Sequence, residues 1–442
     1  MDRRHFTRLV AGAAAGALLP RAGWGGGAPR ALAVNGTRLN GDLTALAAFG
    51  RNPQGGVTRL AYTQADLDAR RYVTDRMREA GLAVRTDRAG NLFGRRAGTD
   101  AAARPIVFGS HVDSVPEGGN YDGNVGVIGA VEVVRTLNEQ RVTTRHPLDV
   151  VVWQNEEGGT WGSNMATAAR ITAEELALTA RSGVTLRDGV RLLGGDPDRL
   201  EETRLRPGSV HGYLELHIEQ GGTLHAAGLP IGVVEGIVAL HQWEVTIEGF
   251  ANHAGTTPMD QRRDAMLAAA RFTELVNRTV RGEPGRQVGT VGRMQAYPGA
   301  PNVIPGKVVC TLELRDLDQP KVVRLYEAIR AGAQAIAADT GTTFAYAPLT
   351  VHDPALCDPR VRALIGDSAA ARGLATRSLP SGAGHDAQNM ARVCPMGMIF
   401  IPSVDGISHS PREYSTPEAI TTGANVLLEA VLRMDAAPLE AK

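Results

Sequence analysis

The chain has 442 residues, 47 Lys+Arg against 47 Asp+Glu, and 43% hydrophobic content, enough for two or three domains with a full core. A formal charge of zero lacks the basic surplus that a nucleic-acid binder needs. Three widely spaced cysteines, Cys310, Cys357 and Cys394, offer neither a disulfide framework nor a cysteine zinc cluster.

Residues 1–8 are basic, and the apolar run at 9–19 is too short to span a bilayer, which takes about 20 residues. With Ala31-Leu32-Ala33 after it, this order reads as an export signal, and Arg3-Arg4 before Phe6 resembles the twin-arginine type that exports folded proteins. Residues 1–33 are therefore set apart as a signal, and the mature chain is expected to be periplasmic or secreted without stable membrane insertion.

Helical spacing of Leu67, Tyr72 or Val73, and Met77 predicts a helix over 64–80, ended by Gly81. The apolar run Ile106-Val107-Phe108 halts at Gly109-Ser110-His111, and Asn124 can cap a helix reaching about Asn138. A valine-rich run, Leu148 to Trp153, ends at Asn155-Glu156-Glu157-Gly158. Such alternation of apolar strands and helices predicts a mixed, mostly parallel sheet with helices on both faces. From about 233, alternation at Trp243, Val245 and Ile247 marks a half-exposed strand. A helix at 260–279, strands at 287–297 and 307–315 and a helix at 321–338 complete an inserted α+β unit. Helices near 359–371 and 385–392 and the run Met396 to Ile401 resume the first pattern. The expected organisation is a signal at 1–33, a catalytic domain at 34–232 and 345–442, and an inserted dimerisation or lid domain at 233–344.

Polar clusters follow the apolar runs. They hold His111 and Asp113, Asp122, Glu156-Glu157, His217 with Gln220, and Ser408-His409. In open α/β sheets ligands bind beyond the carboxyl ends of the strands. Three His with two or three carboxylates form the nitrogen and oxygen donor set that zinc or manganese prefers, and a bridging carboxylate can hold two ions about 3.5–4 Å apart. Taken singly, each cluster is an ordinary turn or a satisfied polar residue; jointly they are not. His5, His146, His211, His225, His241 and His352 lack such a setting.

From about Leu39 onward, these strings resemble the hydantoinase/carbamoylase family of metal-dependent amidases. That family includes N-carbamoyl-L-amino-acid and allantoate amidohydrolases, within the aminoacylase and carboxypeptidase G clan. The matching strings include Gly55-Gly56-Val57-Thr58-Arg59, Asn155-Glu156-Glu157-Gly158 and His217-Ile218-Glu219-Gln220-Gly221. Others are Asn252-His253-Ala254-Gly255, Pro301-Asn302-Val303-Ile304-Pro305-Gly306, Glu313-Leu314-Arg315 and Ser381-Gly382-Ala383-Gly384-His385-Asp386.

The resemblance implies two divalent ions, zinc first, with manganese, cobalt or nickel as alternatives. His111, Asp122, Glu157, His217 and His409 would ligate them, with Asp122 bridging. Glu156 would be the general base, Asp113 would support His111, and His253 would stabilise the oxyanion. Gln220 would line the site, Asn302 and Arg315 would hold a substrate carboxylate, and Gly384-His385 would complete the pocket wall. It also implies a homodimer through the insert, with some insert residues serving the partner's site. The loop Gly159-Thr160-Trp161-Gly162-Ser163 departs from the family in length and lacks an arginine, which bears on substrate shape. The expected activity is hydrolysis of a linear C–N amide bond in an N-carbamoyl-L-amino acid or a related ureido acid. The alternatives are a deacylase or dipeptidase of the same clan, or a periplasmic binding protein that keeps the metals but is inactive.

Overall fold

Four runs buried along their whole length, Ile106–His111, Leu148–Trp153, Gly212–Ile218 and Met396–Ile401, set the centre of the fold. Strands that are apolar on both faces must be covered on both sides. The computed structural model describes residues 32–439; apart from residues 32 and 33, the expected export signal lies outside them. In chain order the strands are β1 (Ala83–Thr86), β2 (Leu92–Arg96), β3 (Ile106–His111), β4 (Leu148–Trp153), β5 (Gly212–Ile218), β6 (Ile231–Ile237), β7 (Ala239–Glu248), β8 (Asn252–His253), β9 (Val288–Tyr297), β10 (Val303–Ile304), β11 (Lys307–Asp316), β12 (Thr343–His352), β13 (Ala355–Leu356), β14 (Thr376–Ser381) and β15 (Met396–Ile401).

The larger sheet runs β1-β2-β4-β3-β5-β15-β6-β13, with β14 beside β6. Its middle pairs, β3 with β4, β3 with β5 and β5 with β15, are parallel, whereas β1, β2 and β13 join antiparallel. The expected mixed, mostly parallel sheet is found. Because those four central strands point the same way, the residues after each emerge along one edge. The helices Asn124–Glu139 and Pro417–Ala436 pack against the sheet, and among the described residues no helix is long and apolar enough to cross a membrane.

A second, four-stranded sheet, β12-β7-β11-β9, is antiparallel throughout. Trp243, Val245 and Ile247 are buried, as their alternation predicts, against Phe272 and Ile329 of the helices Ala265–Gly282 and Gln319–Thr340.

Several local expectations differ from the structure. β12 extends to residue 352 and pairs with β7 from Thr343↔Glu248 to His352↔Leu240, so sheet membership carries this lobe past the expected boundary at 344. Its partly exposed alternation gives little apolar signal. At the other boundary, β6 still belongs to the larger sheet and β7 starts only at Ala239. The helix expected from 260 begins at Ala265, because the Asp264 carboxylate accepts the N–H groups of Met266 and Leu267. Asn124 does not cap its helix: Gly123 holds that position at φ 66°, and the Asn124 Oδ1 accepts from the buried Arg59 guanidinium instead.

Candidate metal and active site

The four parallel strand ends deliver His111 from β3, Asn155-Glu156-Glu157 after β4, His217 and Gln220 around the end of β5, and Ser408-His409 beyond β15. Asp122, on the loop before the helix Asn124–Glu139, lies among them. One of its oxygens, Oδ1, is 3.3 Å from His111 Nε2 and 3.1 Å from His217 Nε2. The other, Oδ2, is 3.4 Å from His409 Nε2, which is in turn 3.6 Å from Glu157 Oε1. Two donor groups therefore share one carboxylate: His111, Asp122 and His217 on one side, and Asp122, Glu157 and His409 on the other.

The imidazoles are oriented from behind. His111 Nδ1 is 3.0 Å from the carbonyl of Asp113, and His217 Nδ1 is 2.9 Å from that of Ile218. An Nδ1–H donated to a carbonyl leaves the Nε2 lone pair facing Asp122, the arrangement that metal-ligating histidines use. The Gly123 N–H, 3.2 Å from His217 Nε2, agrees with that tautomer. Two of the inward atoms, His111 Nε2 and Glu157 Oε1, are buried without a hydrogen-bond partner among the described residues. Orphaned buried acceptors beside a carboxylate are costly unless a cation lies between them, so the residues present fit divalent metal ions.

Titration follows from the crowding. Burial pushes Glu157 up to about 7, and the Asp122 charge adds to it. Burial also raises Glu156 well above the usual carboxylate range, reinforced by Asp386, Glu157 and Asp122 against the opposing effect of His111. For Asp122 burial acts upward, but His217, His111 and His409 outweigh it and hold the carboxyl well below its ordinary value. The hydrogen bond to Asp122 raises His409 to about 8 despite its burial.

The two adjacent glutamates follow a left-handed Asn155 at φ 50°, and their side chains diverge. Glu156 Oε2 is 3.6 Å from His111 Nε2, whereas Glu157 faces His409. Asp113 supports His111 chiefly through its carbonyl, since its carboxylate is 3.7 Å from His111 Nδ1. That carboxylate instead accepts the N–H groups of Glu156 at 3.2 Å and Glu157 at 3.1 Å, tying the β3 and β4 loops together.

Gln220 donates to Asp122 Oδ2 at 2.7 Å. With His409 and Arg315 it lines a cavity of about 600 Å³. Arg315 reaches this cavity from β11, held by Glu313 at 2.7 Å and by the Gly382 carbonyl at 2.6 Å, which leaves Nη2 without a hydrogen-bond partner among the described residues. Gly382 and Ala383 form that part of the wall, rather than Gly384-His385. His385 is buried behind it, 2.8 Å from Ser381 Oγ and edge-on to His217 with ring centroids 4.5 Å apart. His253 and Asn302 are exposed on the β8–β10 ribbon, and the structure does not bring them into the metal cluster. The Gly255 and Thr256 N–H groups point to His253 Nδ1, so its Nε2 carries the proton and can donate.

One residue absent from the sequence expectations is Glu413. Its buried carboxylate accepts the N–H of Tyr121 and Asp122 through Oε1, and Ser408 Oγ and the His409 N–H through Oε2. It thereby spans two segments that supply ligands. In the sequence it is a glutamate in a polar loop, four residues after His409, with no sign of burial.

The profile of Peptidase family M20/M25/M40 matches residues 107–433. The chain is 43% identical over 405 residues to N-carbamoyl-L-amino acid amidohydrolase of Geobacillus stearothermophilus, covering 91% of this chain and 99% of that protein. It is 37% identical over 408 residues to ureidoglycolate hydrolase of Arabidopsis thaliana, covering 90% and 86% respectively. A hydantoinase/carbamoylase family amidase from Burkholderia multivorans superposes with a TM-score of 0.86 at 40% identity, covering 92% of this chain and 100% of that one.

Proposed function

The chain belongs to peptidase family M20/M25/M40, and we propose that it hydrolyses a linear C–N amide or ureido bond of an N-carbamoyl-L-amino acid or a closely related ureido acid, using two divalent ions, zinc foremost. It is a hydrolase of amide or ureido C–N bonds. The observation that carries the finer reading is the pair of donor groups sharing Asp122, with Glu156 beside one and a cavity containing Arg315 beside the other.

His111, Asp122 and His217 would hold one ion, and Asp122, Glu157 and His409 the second. Bound there, the ions supply Lewis acidity at the scissile carbonyl and favour ionisation of the attacking water. Glu156 accepts a proton from that water and returns it to the leaving nitrogen, and its raised proton affinity suits the return step. Arg315 offers its free Nη2 edge to the substrate carboxylate, a planar fork that a lysine could not match. His253 Nε2–H and Asn302 reach the substrate from the β8–β10 ribbon, in the same or the partner subunit, once the smaller lobe closes.

The chain acts as a homodimer through that lobe. In support, the edge strand β9 leaves Val288, Met294 and Tyr297 exposed. Export rests on the order of basic, apolar and small residues within 1–33.

The test is a panel of N-carbamoyl, N-acetyl and dipeptide substrates sharing one L side chain, assayed with the zinc-loaded protein. Turnover of the carbamoyl compound at least tenfold faster than the others supports the proposal; preference for the dipeptide overturns it.

A further inference from the structure

The cavity beside the metal donors carries more positive charge than one carboxylate anchor requires. Three guanidinium groups line it from separate segments: Arg286 just before β9, Arg315 on β11 and Arg377 on β14. Two are already compensated, Arg286 by Glu235 and Arg315 by Glu313. The only carboxylate in the lining among the described residues, Glu219, is directed to the N–H groups of Thr223 and Leu224 at 2.8 and 2.7 Å, where it caps a short helix. Arg377, in contrast, has neither a hydrogen-bond nor an ion-pair partner among the described residues. In a chain whose formal charge is zero, this local cation is not a consequence of composition.

We propose that Arg377 receives a second anionic group of the substrate, so that the preferred substrate is a dianionic ureido acid with a carboxylate in its side chain. This deepens the functional reading above and rests on it: Arg315 takes the carboxylate next to the scissile bond, and Arg377 takes the distal one. The cavity of about 600 Å³ has room for both groups. Leu379, Pro380 and Ala383 supply apolar contacts for the methylene carbons between them. Because Arg377 is exposed, the attraction is screened by salt, and the preference falls as ionic strength rises.

The test compares N-carbamoyl-L-glutamate with N-carbamoyl-L-glutamine, which differ in the distal charge but hardly in shape. For the zinc-loaded protein, kcat/KM favours glutamate by about tenfold at low salt, just below the range for a hydrogen bond to a charged group because Arg377 is exposed. Arg377→Ala and Arg377→Gln bring the ratio close to one, while Arg315→Ala lowers both values and preserves the ratio. Calorimetric binding of the same two compounds to the zinc-loaded Glu156→Gln protein gives the parallel ratio without turnover. A wild-type ratio of one, or a ratio unaltered in Arg377→Ala, overturns the proposal. Failure of the functional reading looks different: neither compound is hydrolysed by wild type, while the binding ratio still decides the role of Arg377.

Discussion

At the scale of single residues, the adjacent pair Glu156-Glu157 has two separable tasks because the two side chains face different imidazoles, Glu156 that of His111 and Glu157 that of His409. Glu157→Ala removes an inward oxygen that has no other partner and is expected to lower metal content. Glu156→Gln is expected to keep both ions and to lose about 10²–10⁴-fold in kcat, the usual contribution of a general base. Metal analysis beside kcat decides between them; equal metal loss in the two variants would show that the roles are misassigned. Glu413 acts indirectly, through the backbone of Asp122 and His409. Residues that orient ligands from behind typically change metal affinity by about 10–100-fold. Glu413→Ala should therefore weaken one ion, that of the Asp122, Glu157 and His409 group, more than the other. A zinc titration showing two sites weakened alike, or neither, would refute this.

The site at the next scale depends on how the β3 end meets the helix Asn124–Glu139. Gly123 begins that helix at φ 66°, and a Cβ there would lie 2.4 Å from His111 Nε2. Gly123→Ala combines an unfavourable backbone region with a collision against a ligand, and small-to-large changes in packed sites cost about 1–3 kcal/mol. The expected result is a lower urea midpoint together with reduced zinc content. A variant that keeps its wild-type zinc affinity would show that His111 moves aside without consequence. Arg59 braces the same junction: fully buried, it donates to the carbonyls of Val112, Leu46 and Phe49 and to Asn124 Oδ1.

Across the whole molecule, gathering so many carboxylates and imidazoles into one buried cluster makes the metal-free fold sensitive to pH. Glu157 rises from an ordinary 4.5 to about 7, and His409 from 6.5 to about 8. A pKa higher in the folded than in the unfolded chain means that folding binds the proton more tightly. The resulting stabilisation is complete below the unfolded values and disappears as pH rises through the folded ones. The urea midpoint of the metal-free protein should therefore fall between about pH 5 and pH 8.5, and saturating zinc should oppose the fall because its ligands bind deprotonated. A metal-free midpoint that climbs over this window would contradict the assignment.

Local pattern was enough to identify the elements whose periodicity is strong and unshared. The helices at 64–79 and 124–139, the valine-rich β4 and the alternating β7 all lie close to where their spacing places them. The residues that converge on Asp122 were also legible, because polar clusters that directly follow apolar runs stand out against their neighbours. Three things were not. β5 mixes Glu215 and His217 into a buried strand, so its sequence does not read as apolar, and only pairing with β3 and β15 stabilises it. The burial of Glu413 and the lack of a partner for Arg377 among the described residues depend on segments far apart in the chain, which no local window contains. Residue types set which chemistry the strand ends could perform. Only the tertiary packing decided which oxygen of Asp122 faces which histidine, because those distances arise where four strand ends and the loop between Ser408 and Glu413 meet.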